Sequence, residues 1–190
     1  IIMQGSPIRI DANRNFGVIT DILGLTGADN IFIGTDAGKD LVGISGAVFI
    51  GVSAGADSTG ADQSAFTGPY AGQNSTGASY SAFTGSHAGA NSTGASYSAF
   101  TGYYAGQNST GAFNSAFVGY NAGADSTGAN NSNFIGYQAG NGSDGAAFSS
   151  FIGYLSGQNS TDASNSAFMG VGAGVNSINA YQSAFIGASA

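Results

Sequence analysis

Apolar and polar positions recur along this chain in fixed columns, each residue type returning at every seventeenth position. The stretch Asn114 to Asn130, NSAFVGYNAGADSTGAN, holds the whole pattern. Its phenylalanine returns at Phe32, Phe49, Phe66, Phe83, Phe100, Phe117, Phe134, Phe151, Phe168 and Phe185, and only Phe16, Phe113 and Phe148 fall outside that column. Successive side chains of a strand face opposite sides. In SAFVGY, Ser115, Phe117 and Gly119 therefore share one face and Ala116, Val118 and Tyr120 the other. A fixed short period in a glycine-rich, β-forming sequence predicts an all-β fold, a parallel β-solenoid or β-roll with one coil per repeat. The phenylalanines stack inside it, each worth about 1.5–3 kcal/mol when fully buried.

The opposite face of the strand is apolar too. After each phenylalanine come Ile33, Ile50, Thr67, Thr84, Thr101, Val118, Ile135, Ile152, Met169 and Ile186. A face looking at water would be polar there, so this column predicts contact with another chain and an oligomer. Beyond the strand, glycines from Gly38 to Gly174 supply positive φ in a turn. Asn or Asp follows in eight of nine coils, Gly142 excepted, and stacked amides there form a ladder along the axis. A second strand is expected through Ser-Thr-Gly-Ala, its alanines running from Ala61 to Ala180 where two walls of a thin roll approach. The coil 136–152 departs most, which predicts a local bulge.

Residues 29–190 carry the ten repeats, whereas residues 1–28 read as an irregular cap or lead-in. Within that lead-in, IRI at 8–10 and FGVITDILGL at 16–25 read as short strands. Phe16, followed by Thr26, Gly27 and Ala28 at the repeat's own offsets, reads as a degenerate first coil with one residue deleted. At the other end the chain stops at Ala190, five residues after Phe185. Because an open solenoid end exposes strand edges and core, continuation of the chain or stacking on another subunit is expected.

Composition narrows the function. With 33 Gly, 2 Pro and 7% charged residues, and no three-residue glycine period, the chain is neither collagen-like nor a charged disordered segment. It has no Cys, which excludes disulfides, zinc-thiolate sites and cysteine nucleophiles, and fits an extracellular, cell-surface or virion setting. The net charge of -7 comes from ten Asp and no Glu against Arg9, Arg14 and Lys39, so no basic face exists for nucleic acid. No run approaches the roughly 20 apolar residues that span a bilayer. Ile1 to Ile10 lack a signal-peptide pattern, so membrane insertion by this segment is not expected and any signal or anchor is expected elsewhere.

Candidate chemistry is sparse. His87, the one histidine, sits in a column filled elsewhere by Asp36, Ser53, Tyr70, Tyr104 and Asn121, and reads as a surface substitution. Asp40, Asp57 and Asp125 could hold calcium in their turns, but their alternation with Asn74, Asn91 and Asn108 favours a turn-forming role. The NST triplets at Asn74, Asn91, Asn108 and Asn159 match the glycosylation acceptor, as do Asn130 and Asn141, and turn and strand preferences generate such triplets unaided. Thr59, Thr76, Thr93, Thr110 and Thr127 make a five-step threonine array, the basis of an ice-binding alternative. No catalytic, cofactor or metal constellation is present in the pattern, and an enzyme is not expected. The site that remains is an aromatic strip: Tyr103, Tyr120, Tyr137 and Tyr154 stack on four successive coils beside amides, a surface that either packs against a neighbouring chain or covers the strand, or else suits sugar rings.

The string NSAF(V/M)G at Asn114–Gly119 and Asn165–Gly170, with SAFTG and SNFIG as variants, resembles the NS-x-AIG motif of trimeric autotransporter adhesin heads. The whole unit is similar to the Gly/Asn/Thr-rich repeats of phage tail fibres, over residues 29–190. That resemblance implies a left-handed β-roll in a homotrimer that presents a binding surface. The expected function is a structural and adhesive shaft of an extracellular fibre with a cell-surface glycan or receptor as partner. The alternative is a self-assembling filament subunit stacking end to end.

Overall fold

The computed structural model describes residues 8–10, 16–18, 29–41 and 43–190. Twelve strands lie in one sheet in chain order. Ten of them, each three residues long, run from β3 (Ile31–Ile33) to β12 (Ala184–Ile186). They pair in parallel with phenylalanine opposite phenylalanine throughout, Phe32 with Phe49 and so on to Phe168 with Phe185. The chain is thus an all-β parallel solenoid whose ten strands bound nine coils, one sequence repeat to each coil. No α-helix occurs among the described residues.

Turns make up most of each coil. In the coil that leaves Gly68, the N–H groups of Ala71, Gln73 and Ser75 donate to the carbonyls of Gly68, Tyr70 and Gly72, each at 3.2 Å. The third residues of these turns, Tyr70, Gly72 and Asn74, have φ of 60°, 65° and 54°. A positive φ confined to the third residue defines type II turns, here three in overlapping succession. Pro69 takes the second place of the first, where its fixed φ fits. The expected second strand shrinks to one bridged residue per coil, in the column Thr59, Thr76, Thr93, Thr110, Thr127, Asp144, Thr161 and Ile178. Its extension is cut short because the glycine that follows, Gly77 for example at φ 65°, turns into the left-handed region.

The bulge expected in the coil 136–152 does not form. Asp144 keeps the bridge to Thr161, and Ser150 pairs in register with Asn133. Gly142, at φ 65°, takes the left-handed backbone that Asn or Asp supplies in the other coils, so the substituted turn closes over the same length of chain.

The core is a column of rings. Phe32 through Phe168 are wholly buried, and from Phe49 onward adjacent centroids lie 4.6–4.8 Å apart with planes within 10°. The alanines Ala61 to Ala180 are buried against them. Beside the rings runs a hydroxyl spine: Ser64 Oγ donates to Ala78 O at 2.7 Å and accepts the N–H of Ser81 at 3.1 Å. The same pair of bonds recurs from coil to coil as far as Ser166, whose Oγ accepts the N–H of Ser183. In the first coil Asn30 replaces serine with the same geometry, its Nδ2 donating to Ile44 O and its Oδ1 accepting from Ala47 N–H, so one amide does what one hydroxyl does elsewhere.

The lead-in differs from the degenerate coil read in the sequence. β2 (Phe16–Val18) does pair in parallel with β3, but Gly17, not Phe16, lies opposite Phe32. Phe16 therefore stands outside the phenylalanine column, and the interval from Gly17 to Phe32 is shorter than a regular coil. β1 (Ile8–Ile10) then pairs antiparallel with β2. The short link between them suffices for a hairpin but not for the crossover that a parallel neighbour needs. The rest of the lead-in, including the Thr26-Gly27-Ala28 triplet, lies outside the described residues.

Candidate functional site

Each strand ends at a glycine where successive backbones come very close. A Cβ placed on Gly102 would sit 2.4 Å from the carbonyl oxygen of Gly119, and the same contact recurs at Gly119 and Gly136. The residue after that glycine faces solvent. In this position Tyr103, Tyr120, Tyr137 and Tyr154 form one stack, with centroids 5.6, 5.1 and 5.0 Å apart and planes within 14°. Each is between two-fifths and one-half exposed. The strip flanks the outward column Val118, Ile135, Ile152 and Met169, all exposed to a similar degree. Strand alternation thus delivers the two surface features that the pattern of residues predicts.

The next column is left-handed throughout. Ser53, Tyr70, His87, Tyr104, Asn121, Gln138 and Leu155 have φ of 52–60°. Here Tyr70 stacks on His87 at 4.8 Å, Tyr104 meets the other side of the imidazole at 5.0 Å with its plane tilted by 52°, and His87 Nδ1 lies 2.9 Å from Ser86 Oγ. The histidine is therefore half-buried between two phenol rings. Tyr104 also packs edge-on against Tyr103 at 4.0 Å. Their side-chain hydrogen bond, reinforced by desolvation and by neighbouring phenols, holds the Tyr103 hydroxyl above the ordinary tyrosine range. Amides flank the strip, with Gln158 Nε2 donating to Gln138 Oε1 at 3.1 Å. Such a surface offers aromatic faces and amide bonds, the means of holding a polar ligand by contact.

Of the turn carboxylates, Asp125 belongs to an amide ladder. Asn74 donates to Asn91, Asn91 to Asn108, and Asn108 to Asp125 Oδ1, at 3.2, 3.1 and 2.9 Å. The acceptor asparagines of the NST triplets are thereby tied along the axis. Among the described residues no three His, Cys, Asp or Glu come together to hold a metal ion. The threonine array keeps its register as far as Asp144, to which Thr127 Oγ1 donates.

A second aromatic row is one that the reading of the sequence missed. Tyr80 and Tyr97 stack at 4.9 Å, and Phe113 meets Tyr97 edge-on at 5.4 Å. These residues lie on the corner before the strand, at its opposite end from the tyrosine strip. The signal was available, since Phe113 and Phe148 are the repeat-region phenylalanines outside the main column, but their corner varies from coil to coil. Compared with known proteins, the chain matches no family model and no curated sequence.

Proposed function

We propose that this chain is a structural and adhesive shaft segment of an extracellular fibre, of the kind built by adhesin heads and phage tail fibres. Three copies associate through the outward face of their strands, and the tyrosine strip meets a cell-surface glycan or receptor. One observation carries the reading: an exposed aliphatic column, Val118 to Ile186, runs beside four stacked tyrosines on a continuous sheet. Parallel sheets ordinarily have both faces covered, and an apolar strip of this length marks an interaction surface. Identical chains satisfy it most simply by closed symmetry.

Light scattering of the isolated protein tests the association, with a trimer expected. Ile135→Asp together with Ile152→Asp buries unpaired charge and should give a monomer, whereas substitution of Asn121 or Ser79 should leave the mass unchanged. A native monomer would remove the fibre reading. A glycan array tests the strip, with loss of binding expected in Tyr120→Ser, Tyr137→Ser at unchanged oligomeric state.

A further inference from the structure

Three departures from the repeat converge on one corner of the roll. The outward position before each core phenylalanine is alanine in six coils and becomes polar only at Asn133 and Ser150. Between those two positions stands Phe148, outside the core column and 62% exposed. Its backbone is left-handed, with φ of 56°, in a column where Asn114, Asn131 and Asn165 adopt 59°, 55° and 58°. Asparagine visits that region readily, while a bulky side chain there is an outlier. The other bulky members of the column, Tyr80 and Tyr97, stack on each other, whereas Phe148 meets no ring among the described residues. The column's left-handed backbone is held by the bond between coils, Phe148 N–H donating to Asn130 O at 2.8 Å, so neither the core nor the turn requires a phenylalanine at this point.

The surface around Phe148 is concave. An open groove of about 430 Å³ is walled by Phe148, Asn131, Asn165 and Gln182, with Asn133 and Ser150 toward the strand. Asn131 accepts from Asn114 at 3.3 Å, but the amides of Asn133, Asn165 and Gln182 make no hydrogen bond among the described residues. No ionisable residue lines the groove. We propose that it is a binding site for a neutral saccharide. The C–H face of a sugar ring lies on the Phe148 ring, and the amides, each both donor and acceptor, bridge adjacent hydroxyls. Uncharged lining in a chain of net charge -7 selects against acidic sugars. The site lies at the other end of the strand from the tyrosine strip and does not depend on it, although it rests on the same reading of the surface as one displayed to glycans.

The test is a panel of immobilised neutral oligosaccharides of glucose, galactose, mannose and N-acetylglucosamine, beside sialylated and sulfated controls. Phe148→Asn and Asn133→Ala each restore a residue that other coils carry in the same column, so the double variant keeps the fold, as melting and light scattering will verify. The native protein should bind a neutral oligosaccharide, with affinity unchanged by salt or between mildly acid and mildly alkaline pH. The double variant should lose about tenfold or more, while Tyr120→Ser, Tyr137→Ser retains that binding. Absence of neutral binding by the native protein, retention by the double variant, or preference for acidic glycans would overturn the groove. If binding is lost only in the tyrosine variant, the strip stands and the groove falls.

Discussion

Gly123 and Tyr104 share nearly the same backbone, with φ of 63° and 59°, yet the column of the first holds only glycine and that of the second holds Asp, Ser, Tyr, His, Asn, Gln, Leu or Gly. The difference is room. A Cβ on Gly123 would come within 2.3 Å of the Phe117 ring, whereas Tyr104 points away from the core. A third column separates the two causes. Gly128, at φ 65°, has no atom nearer than 3.6 Å to an added Cβ, and Asp162 and Asn179 occupy its column with φ of 50° and 55°. In the Gly123 column the invariant glycine therefore records contact with a ring, and the sign of φ alone does not demand it. Residues that disfavour the left-handed region are held there by neighbouring coils: Tyr104 N–H donates to Ser86 O at 3.0 Å, and the bond recurs down the axis.

The comparison breaks most severely if the coil length is altered. Deleting Thr101 alone moves every later residue one place, carrying the phenylalanines to the outer face. Circular dichroism should then show loss of the cooperative transition for the later coils. Removing residues 101–117, one full coil, should leave a shorter roll with the same transition. Next in size is Gly123→Ala, expected to cost about 2–5 kcal/mol from overpacking against Phe117 added to left-handed strain. Gly128→Ala carries the strain without the clash and should cost about 1–2 kcal/mol in the same chemical unfolding experiment. Equal losses would mean that φ, not space, governs both columns. The smallest effect is Tyr104→Asn, which relieves strain at an outer corner and should raise stability by a few tenths to about 1 kcal/mol, read as a modest increase in melting temperature.

Much of the fold was readable because a solenoid repeats its environment. One phenylalanine per repeat, flanked on the same face by Ser or Asn two places before it in every repeat but that of Ala47 and by Gly two places after it in all, identified the inner columns. The tyrosine strip followed from the same alternation, and the asparagine ladder from the repeated turn. Where environments are not repeated the reading weakened. Phe16 matches the column by residue type, but a lead-in closed by a hairpin sets its register through the antiparallel partner, and Gly17 falls opposite Phe32. The Ser-Thr-Gly-Ala segment has strand composition, yet its glycine turns after a single bridged threonine.

The sequence by itself determined the coil length and the phenylalanine column at the centre of the core, because an unbroken repeat with strict alternation leaves one way to place ten rings on one face. Only the tertiary structure decided what the outer corners make together. Asn131, Phe148, Asn165 and Gln182 are successive members of one column, and nothing in that list of residue types distinguishes a scattered variable position from a wall. They enclose a groove because each left-handed corner sets the direction of its side chain, and because stacking at one coil per step brings residues a full repeat apart into contact.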